Sequence, residues 1–205
     1  MEVMKINYDK VLEELVNNLE YKPKLLLHSC CGPCSSYVIT YLMNYFDITI
    51  LYYNPNIEPV GEYEKRKNEQ IRLLKELNRE NVHFMDIDYE NEKYRDYVKG
   101  HESDREGGAR CHLCYELRLD KTADIAKANN FEYFGTTLTV SPYKNASVLN
   151  QIGEYLSSKY NVKWLYSDFK KKDGYKKSIE LSKKYNLYRQ DYCGCLFSKD
   201  RDIFE

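Results

Sequence analysis

The sequence predicts a doubly wound α/β domain, a mainly parallel five-stranded sheet with helices on both faces. Three observations carry that expectation. Short apolar runs of strand length alternate with longer stretches whose apolar residues recur at helical spacing. Such alternation joins neighbouring strands in parallel through helical crossovers. The length of 205 residues, 42% of them hydrophobic, supplies one such core and hardly two.

The elements follow in order. An amphipathic stretch, Tyr8–Glu20, predicts a helix ahead of the sheet, within an N-terminal extension spanning residues 1–23. The core, residues 24–200, opens with "KLLLHS" (Lys24–Ser29) as the first strand. "DITILYY" (Asp47–Tyr53), "NVHFMDIDY" (Asn81–Tyr89), "FEYFGTTLTV" (Phe131–Val140) and "VKWLYSDF" (Val162–Phe169) read as the other four. Between them, Ser35–Tyr45, Val60–Asn78, Cys114–Asn129 and Asn145–Lys159 read as helices, and Tyr175–Tyr185 follows the last strand. No repeat, low-complexity tract or linker interrupts the pattern, so residues 1–205 are expected to form a single domain.

Composition narrows the class. Charged residues make up 31% and the formal net charge is -1, which fits a globular chain and not a strongly basic one. No apolar run reaches the length of a membrane span, and the first residues mix charge into their apolar pattern, unlike a signal peptide. A cytoplasmic chain is expected, in which thiols stay reduced and clustered cysteines point to metal or redox chemistry. The 21 tyrosines are read mainly as compositional bias, with a few available as stacking platforms for bases.

Cysteine placement is the most informative feature. In a parallel sheet, ligands sit at the carboxyl ends of the strands. Cys30, Cys31 and Cys34 of "HSCCGPCSS" lie directly after the first strand. Cys111 and Cys114 form a CxxC at a predicted helix N-terminus, which favours thiolate. Cys193 and Cys195 form "CGC", whose glycine permits a tight turn. Spacing ranks an iron–sulfur centre first, because a polynuclear core accepts irregularly placed thiolates. Paired-knuckle zinc is second, dithiol exchange third, and seven inert buried cysteines in this arrangement the least expected.

"LLLHSCCGPCSS", "YYNPNIEPVGEYEKR", "RCHLCYELRL", "GTTLTVSPYKN" and "LYRQDYCGCLFS" together resemble the epoxyqueuosine reductases of the QueH type, in register from Lys24 to Lys199. The resemblance implies a nucleotide-hydrolase-like (HUP) sheet. It implies reduction of the epoxide of epoxyqueuosine to the cyclopentene of queuosine at the wobble position of tRNA, the last step of queuosine biosynthesis, without cobalamin. It also implies a [4Fe-4S] cluster on Cys30, Cys31, Cys111 and Cys114 with an additional iron beside it. Cys34 stands where some members carry aspartate and others cysteine, and is the candidate ligand of that iron. A thiolate there is softer than a carboxylate. Cys193 and Cys195 match the family's CGC, read as a redox-active dithiol or disulfide.

Removing an epoxide oxygen to leave an alkene takes two electrons and two protons. The implied centre would supply Lewis acidity and electrons, and a nearby acid the proton. An external low-potential electron donor is required, and no motif identifies it. His28, His112, Tyr143 and Lys144 are the residues considered for the acid, each with a structural role as the competing reading. For the substrate, Asn54, Tyr63 and Arg66 of the "YNPNIEPVGEYEKR" loop, Tyr143 and Lys144 of "SPYKN", and Tyr175 and Lys176 are expected to contact the modified base or its phosphates. From Lys159 to Arg189, ten Lys or Arg stand against three Asp or Glu. That local basicity suits RNA, with Lys177 and Tyr188 among its candidates. The alternative of another class is a zinc-stabilised RNA- or nucleotide-binding module without redox activity. ATP-dependent activation is disfavoured, because "HSCCGPCSS" occupies the place of a pyrophosphate loop.

Overall fold

The computed structural model describes residues 6–199. Five strands, β1 (Lys24–His28), β2 (Asp47–Leu51), β3 (Val82–Met85), β4 (Tyr133–Thr136) and β5 (Lys163–Trp164), form one all-parallel sheet in the order β3-β2-β1-β4-β5. The chain runs outward from β1 to β3, then returns to the other side of β1 for β4 and β5. The switch point therefore lies between β1 and β4, where Leu27 pairs with Ile50 on one side and Gly135 on the other.

The middle strand explains itself. Leu25, Leu26 and Leu27 are completely buried, as a strand covered on both faces must be. Each such side chain contributes roughly 1.5–3 kcal/mol of apolar burial. Leu25 and Leu27 face α1 (Tyr8–Asn17) and α2 (Gly32–Leu42), which contribute Leu12, Val16, Val38, Ile39 and Leu42 to one core cluster. Leu26 faces the opposite cluster, which draws Tyr115, Leu119, Ala123 and Ala126 from α5 (Ala109–Ala128) and Leu149 and Leu156 from α6 (Ala146–Tyr160). Between β2 and β3 runs α3 (Val60–Leu77), which ends on Asn78 in the left-handed conformation. After β5 comes α7 (Gly174–Lys184), packed on α2.

The expected strands and helices are present, β3 at less than half the length of the expected Asn81–Tyr89, and four further differences stand out. The predicted strand Phe131–Val140 ends at Thr136, and Leu138–Val140 form a 3₁₀ turn. That stretch is buried on every side, so apolar residues alone could not mark where pairing stops. The fifth strand shrinks to two residues at the sheet edge. Helix α5 starts at Ala109 and not at Cys114, because the turn through Gly107 and Gly108 delivers the chain five residues earlier. A short extra helix, α4 (Asn91–Tyr97), carries mostly polar residues and buries only Tyr94, leaving little periodic signal.

Candidate metal centre and substrate cleft

Cys30 and Cys31 leave β1 at the carboxyl end of the sheet, and Cys31 is the N-cap of α2 in extended backbone. Cys34 lies in the first turn of α2. The three sulfurs lie within 4.8 Å of one another, and Cys30 Sγ is 3.7 Å from Cys31 Sγ. Thiolates tetrahedrally placed around one ion at about 2.3 Å stand roughly 3.8 Å apart, so the triad can hold a metal ion. Among the described residues, no other group of His, Cys, Asp or Glu has that geometry.

The thiols are not equivalent. Thiol hydrogen bonds from Cys30 and Cys34 hold Cys31 well below the ordinary thiol range, and Gln190 Nε2 adds a donor at 3.1 Å. The same contacts, with Cys30 first, push Cys34 well above that range. Cys31 is therefore the most acidic thiol of the triad.

Cys111 and Cys114 both lie on α5. Cys111 Sγ accepts a hydrogen bond from Gly107 N at 3.2 Å and borders the same apolar cluster as Cys30. Cys114 is buried, which pushes its thiol up to about 12. The four cysteines expected to share a centre thus come from one loop and one facing helix, but only Cys30, Cys31 and Cys34 stand within a single ion's reach. A multi-iron centre takes each thiolate on a different iron and so bridges a wider gap.

Cys193 and Cys195 point apart. Cys193 Sγ faces the cleft and accepts from Lys144 Nζ at 3.3 Å, whereas Cys195 is buried with Tyr94 OH at 3.0 Å. All seven cysteines are free thiols. Gly194 between them has φ +115, and a Cβ there would meet Ile57 Cγ1 at 2.8 Å. Only glycine fits that turn.

Three of these thiols, Cys30, Cys34 and Cys193, line a cleft of about 170 Å³, with Lys144, Arg118, Gln190, Glu106 and Asp191 also in its wall. Tyr143 and Tyr175 stand at its mouth and also border a larger groove with Lys170 and Lys171. Burial works against the Lys144 charge, but Cys193, Tyr115 and Cys30 together outweigh it and hold the ammonium well above its ordinary value.

The remaining expected residues divide. Arg66 reaches the cleft but spends its donors on the protein: Nε on Glu62 at 2.6 Å, Nη1 on Cys193 O at 3.1 Å and Nη2 on Tyr192 O at 3.3 Å. Asn54 is buried, donates to Ser29 O at 2.8 Å and faces Arg118 Nη1 at 3.5 Å. Tyr63 lies apart, its buried ring packed on Tyr52 and Tyr89 beside a separate hollow. Its helical spacing marked a core position. Lys176 and Lys177 are exposed on α7. Tyr188 is tied by its hydroxyl to Glu62.

Neither histidine serves the cleft. His28 is completely buried between Thr136 Oγ1 at 3.0 Å and Tyr53 O at 3.1 Å. Burial lowers its pKa to about 3, so it is neutral. His112 borders a different hollow with Val148 and Ile152. Two residues escaped the sequence reading, Gln190 and Arg118. Arg118 shares a helix face with Cys111 and Cys114, at spacings of seven and four, a relation visible in the sequence.

Fold and cleft define a doubly wound α/β protein with a thiol-lined, metal-competent site at its switch point. The family model described as epoxyqueuosine reductase QueH matches residues 25–201. Relatives of that name include proteins of Staphylococcus aureus (44% identical, covering 97% of this chain and 86% of that one) and Streptococcus pyogenes (41%, 95% and 78%). A third, from Thermotoga maritima, is 36% identical over 85% of this chain and 89% of its own. The chain belongs to the epoxyqueuosine reductase QueH family.

Proposed function

We propose that this chain removes the epoxide oxygen of epoxyqueuosine in tRNA to give queuosine, using an iron–sulfur centre held by Cys30, Cys31, Cys111 and Cys114, with Cys34 toward an additional iron. The single observation that carries the site is the thiol triad at the mouth of the switch point, with the second thiol pair facing it from α5. The donor set fits: three sulfurs converge within 4.8 Å with Cys31 the most acidic of them, and the buried Arg118 guanidinium lacks a partner at Nη2, as beside an anionic occupant. When bound, such a centre supplies electrons one at a time and Lewis acidity toward the epoxide oxygen.

The chain's own residues supply the rest. A cleft of about 170 Å³ is small against ordinary ligand pockets of roughly 300–1,000 Å³, and suits a ring-sized substituent more than a whole nucleoside. The nucleotide would remain in the adjoining groove, where Tyr143, Tyr175, Lys170 and Lys171 offer stacking and phosphate contacts. Lys144 keeps its proton at the cleft wall and is assigned to meet the departing oxygen. Cys193 faces the cleft as a thiol that can exchange electrons with its occupant, and Cys195 must leave Tyr94 before the two can join. The electrons enter from an external low-potential donor. A zinc-stabilised binding module is not favoured by the family match.

The test is made on protein purified without oxygen. Iron, zinc and acid-labile sulfide are measured per chain, then epoxyqueuosine-containing tRNA is incubated with protein and a chemical reductant. Iron exceeding sulfide by about one atom, and a nucleoside lighter by one oxygen, are expected. Colourless zinc protein that cannot be reconstituted with iron, and leaves the nucleoside unchanged, would sink the reading.

A further inference from the structure

Three arginines are among the largest fully buried side chains of the molecule: Arg66, Arg110 and Arg118. Two are accounted for. Arg66 pairs with Glu62 and with two carbonyls of the CGC segment. Arg110 Nη1 donates to the carbonyls of His101, Glu102 and Asp104, and its Nη2 to Ser198 Oγ. Arg118 is different. Its Nε donates to Cys114 O at 3.1 Å and its Nη1 reaches Asn54 Oδ1 at 3.5 Å, while Nη2 has no partner. Among the described residues no carboxylate forms an ion pair with it.

A guanidinium cannot shed its proton to escape burial. It must therefore be balanced by an anion, or its burial is a standing penalty. Burial works against its charge, and the groups that favour it are three sulfurs, Cys114, Cys193 and Cys30, followed by the Tyr115 hydroxyl, with the Lys144 ammonium opposing. It lines the cleft, and it stands on the same helix face as Cys111 and Cys114. The two carboxylates in the cleft wall, Glu106 and Asp191, form no ion pair with it. Metal binding converts thiols to thiolates, which places negative charge among the very groups that favour the guanidinium.

We propose that Arg118 is the built-in counter-charge of the thiolate-bound metal centre, a positioning residue that favours the centre's reduced state and its retention in the cleft. The proposal rests on the reading of the cleft as a metal centre. Each added electron makes a thiolate-bound centre more negative, so a fixed positive charge beside it favours reduction. The guanidinium acts without touching substrate, and its effect persists when no substrate is present.

The experiment compares wild type, Arg118→Gln and Arg118→Lys, each loaded with iron and sulfide without oxygen. Two quantities are read without turnover: the midpoint potential in a dye-mediated titration, and the rate of iron release to a chelator. Arg118→Gln is expected to lower the reduced-to-oxidised ratio about tenfold at a given potential, about 59 mV for one electron. Its iron should leave at least about tenfold faster, as with other outer partners of metal ligands. Arg118→Lys keeps the charge and should retain most of both properties. Wild-type potential and retention in Arg118→Gln, with only a raised KM for tRNA, would assign Arg118 to the substrate and overturn the proposal alone. Wild-type protein that takes up neither iron nor sulfide overturns the underlying reading instead, and the proposal with it. If Arg118→Gln does not fold, Arg118→Lys decides: a near-wild-type potential supports the counter-charge, and a full tenfold fall overturns it.

Discussion

The two walls of the cleft are held in place by different physics. The first, carrying Cys30, Cys31 and Cys34, hangs from β1, whose three leucines are sealed between two apolar clusters. The second is the segment Leu187–Ser198, which belongs to no strand and contains only one 3₁₀ turn. It is strapped on by polar ties: Arg66 to the carbonyls of Tyr192 and Cys193, Tyr192 OH to Glu58 O at 2.6 Å, Glu58 N to Gly194 O at 2.8 Å, and Tyr188 N to Glu69 Oε1 at 2.6 Å. Burial positions the first wall collectively, so no single contact decides it. The strap is held by discrete bonds that can be cut one at a time, and it carries the cleft-facing Cys193 with it.

Substitutions can break this contrast, and the greatest effect is expected in the triad. Cys31→Ser removes the most acidic thiol of the triad and should abolish iron retention and reduction together while leaving the fold intact, read by iron content and circular dichroism. Retained iron would remove Cys31 from the centre. Next in size, Leu27→Ala opens a cavity under the first wall and should cost about 2–5 kcal/mol of global stability, read by denaturant unfolding. Gly194→Ala should act on the strap alone. Its Cβ meets Ile57 in a left-handed turn, at a local cost of about 1–3 kcal/mol. Faster proteolysis near residue 194 with an unchanged global unfolding midpoint is expected, and a matching fall in both would show the walls to be one unit.

The effect that is smallest near neutral pH, and grows only on acidification, concerns protonation. His28 has its pKa lowered from 6.5 to about 3, so between those values the unfolded chain binds a proton that the folded chain refuses. Stability should fall as pH drops through that window and be unaffected by His28 above it. Comparing the pH slopes of wild type and His28→Asn in urea unfolding checks this. Equal slopes would mean that His28 is charged in the fold.

The same contrast explains what the sequence disclosed. Apolar periodicity reports burial, so β1, β2, α3 and α6 were legible nearly to their ends, whereas the half-exposed β3 stops at Met85, four residues short of the expected end. The placement of three cysteines after β1 was legible too, because topology puts ligands there. Polar ties leave no such trace. Nothing around Arg66 announced that its guanidinium fastens the CGC segment 127 residues away, nor that Tyr188 is held by Glu62 and not open to a base. Tyr63 was expected to contact substrate although it falls within the predicted helix Val60–Asn78, and its position on α3 turns it into an aromatic cluster. Arg118 resembled an ordinary charge on a helix, and only its register with Cys111 and Cys114 set it apart.

The strap also orders events in time. Cys30, Cys31, Cys34, Cys111 and Cys114 all precede it in the chain, and 79 residues separate Cys114 from Cys193. At ribosomal rates of about 5–20 residues per second, the first five thiols emerge roughly 4–16 s before the second wall exists. During that interval β4 and β5 complete the sheet around the first wall while no strap yet crosses it. If the proposed iron–sulfur centre is inserted before that closure, the last part of the cleft to be made seals a loaded site instead of admitting cargo past itself.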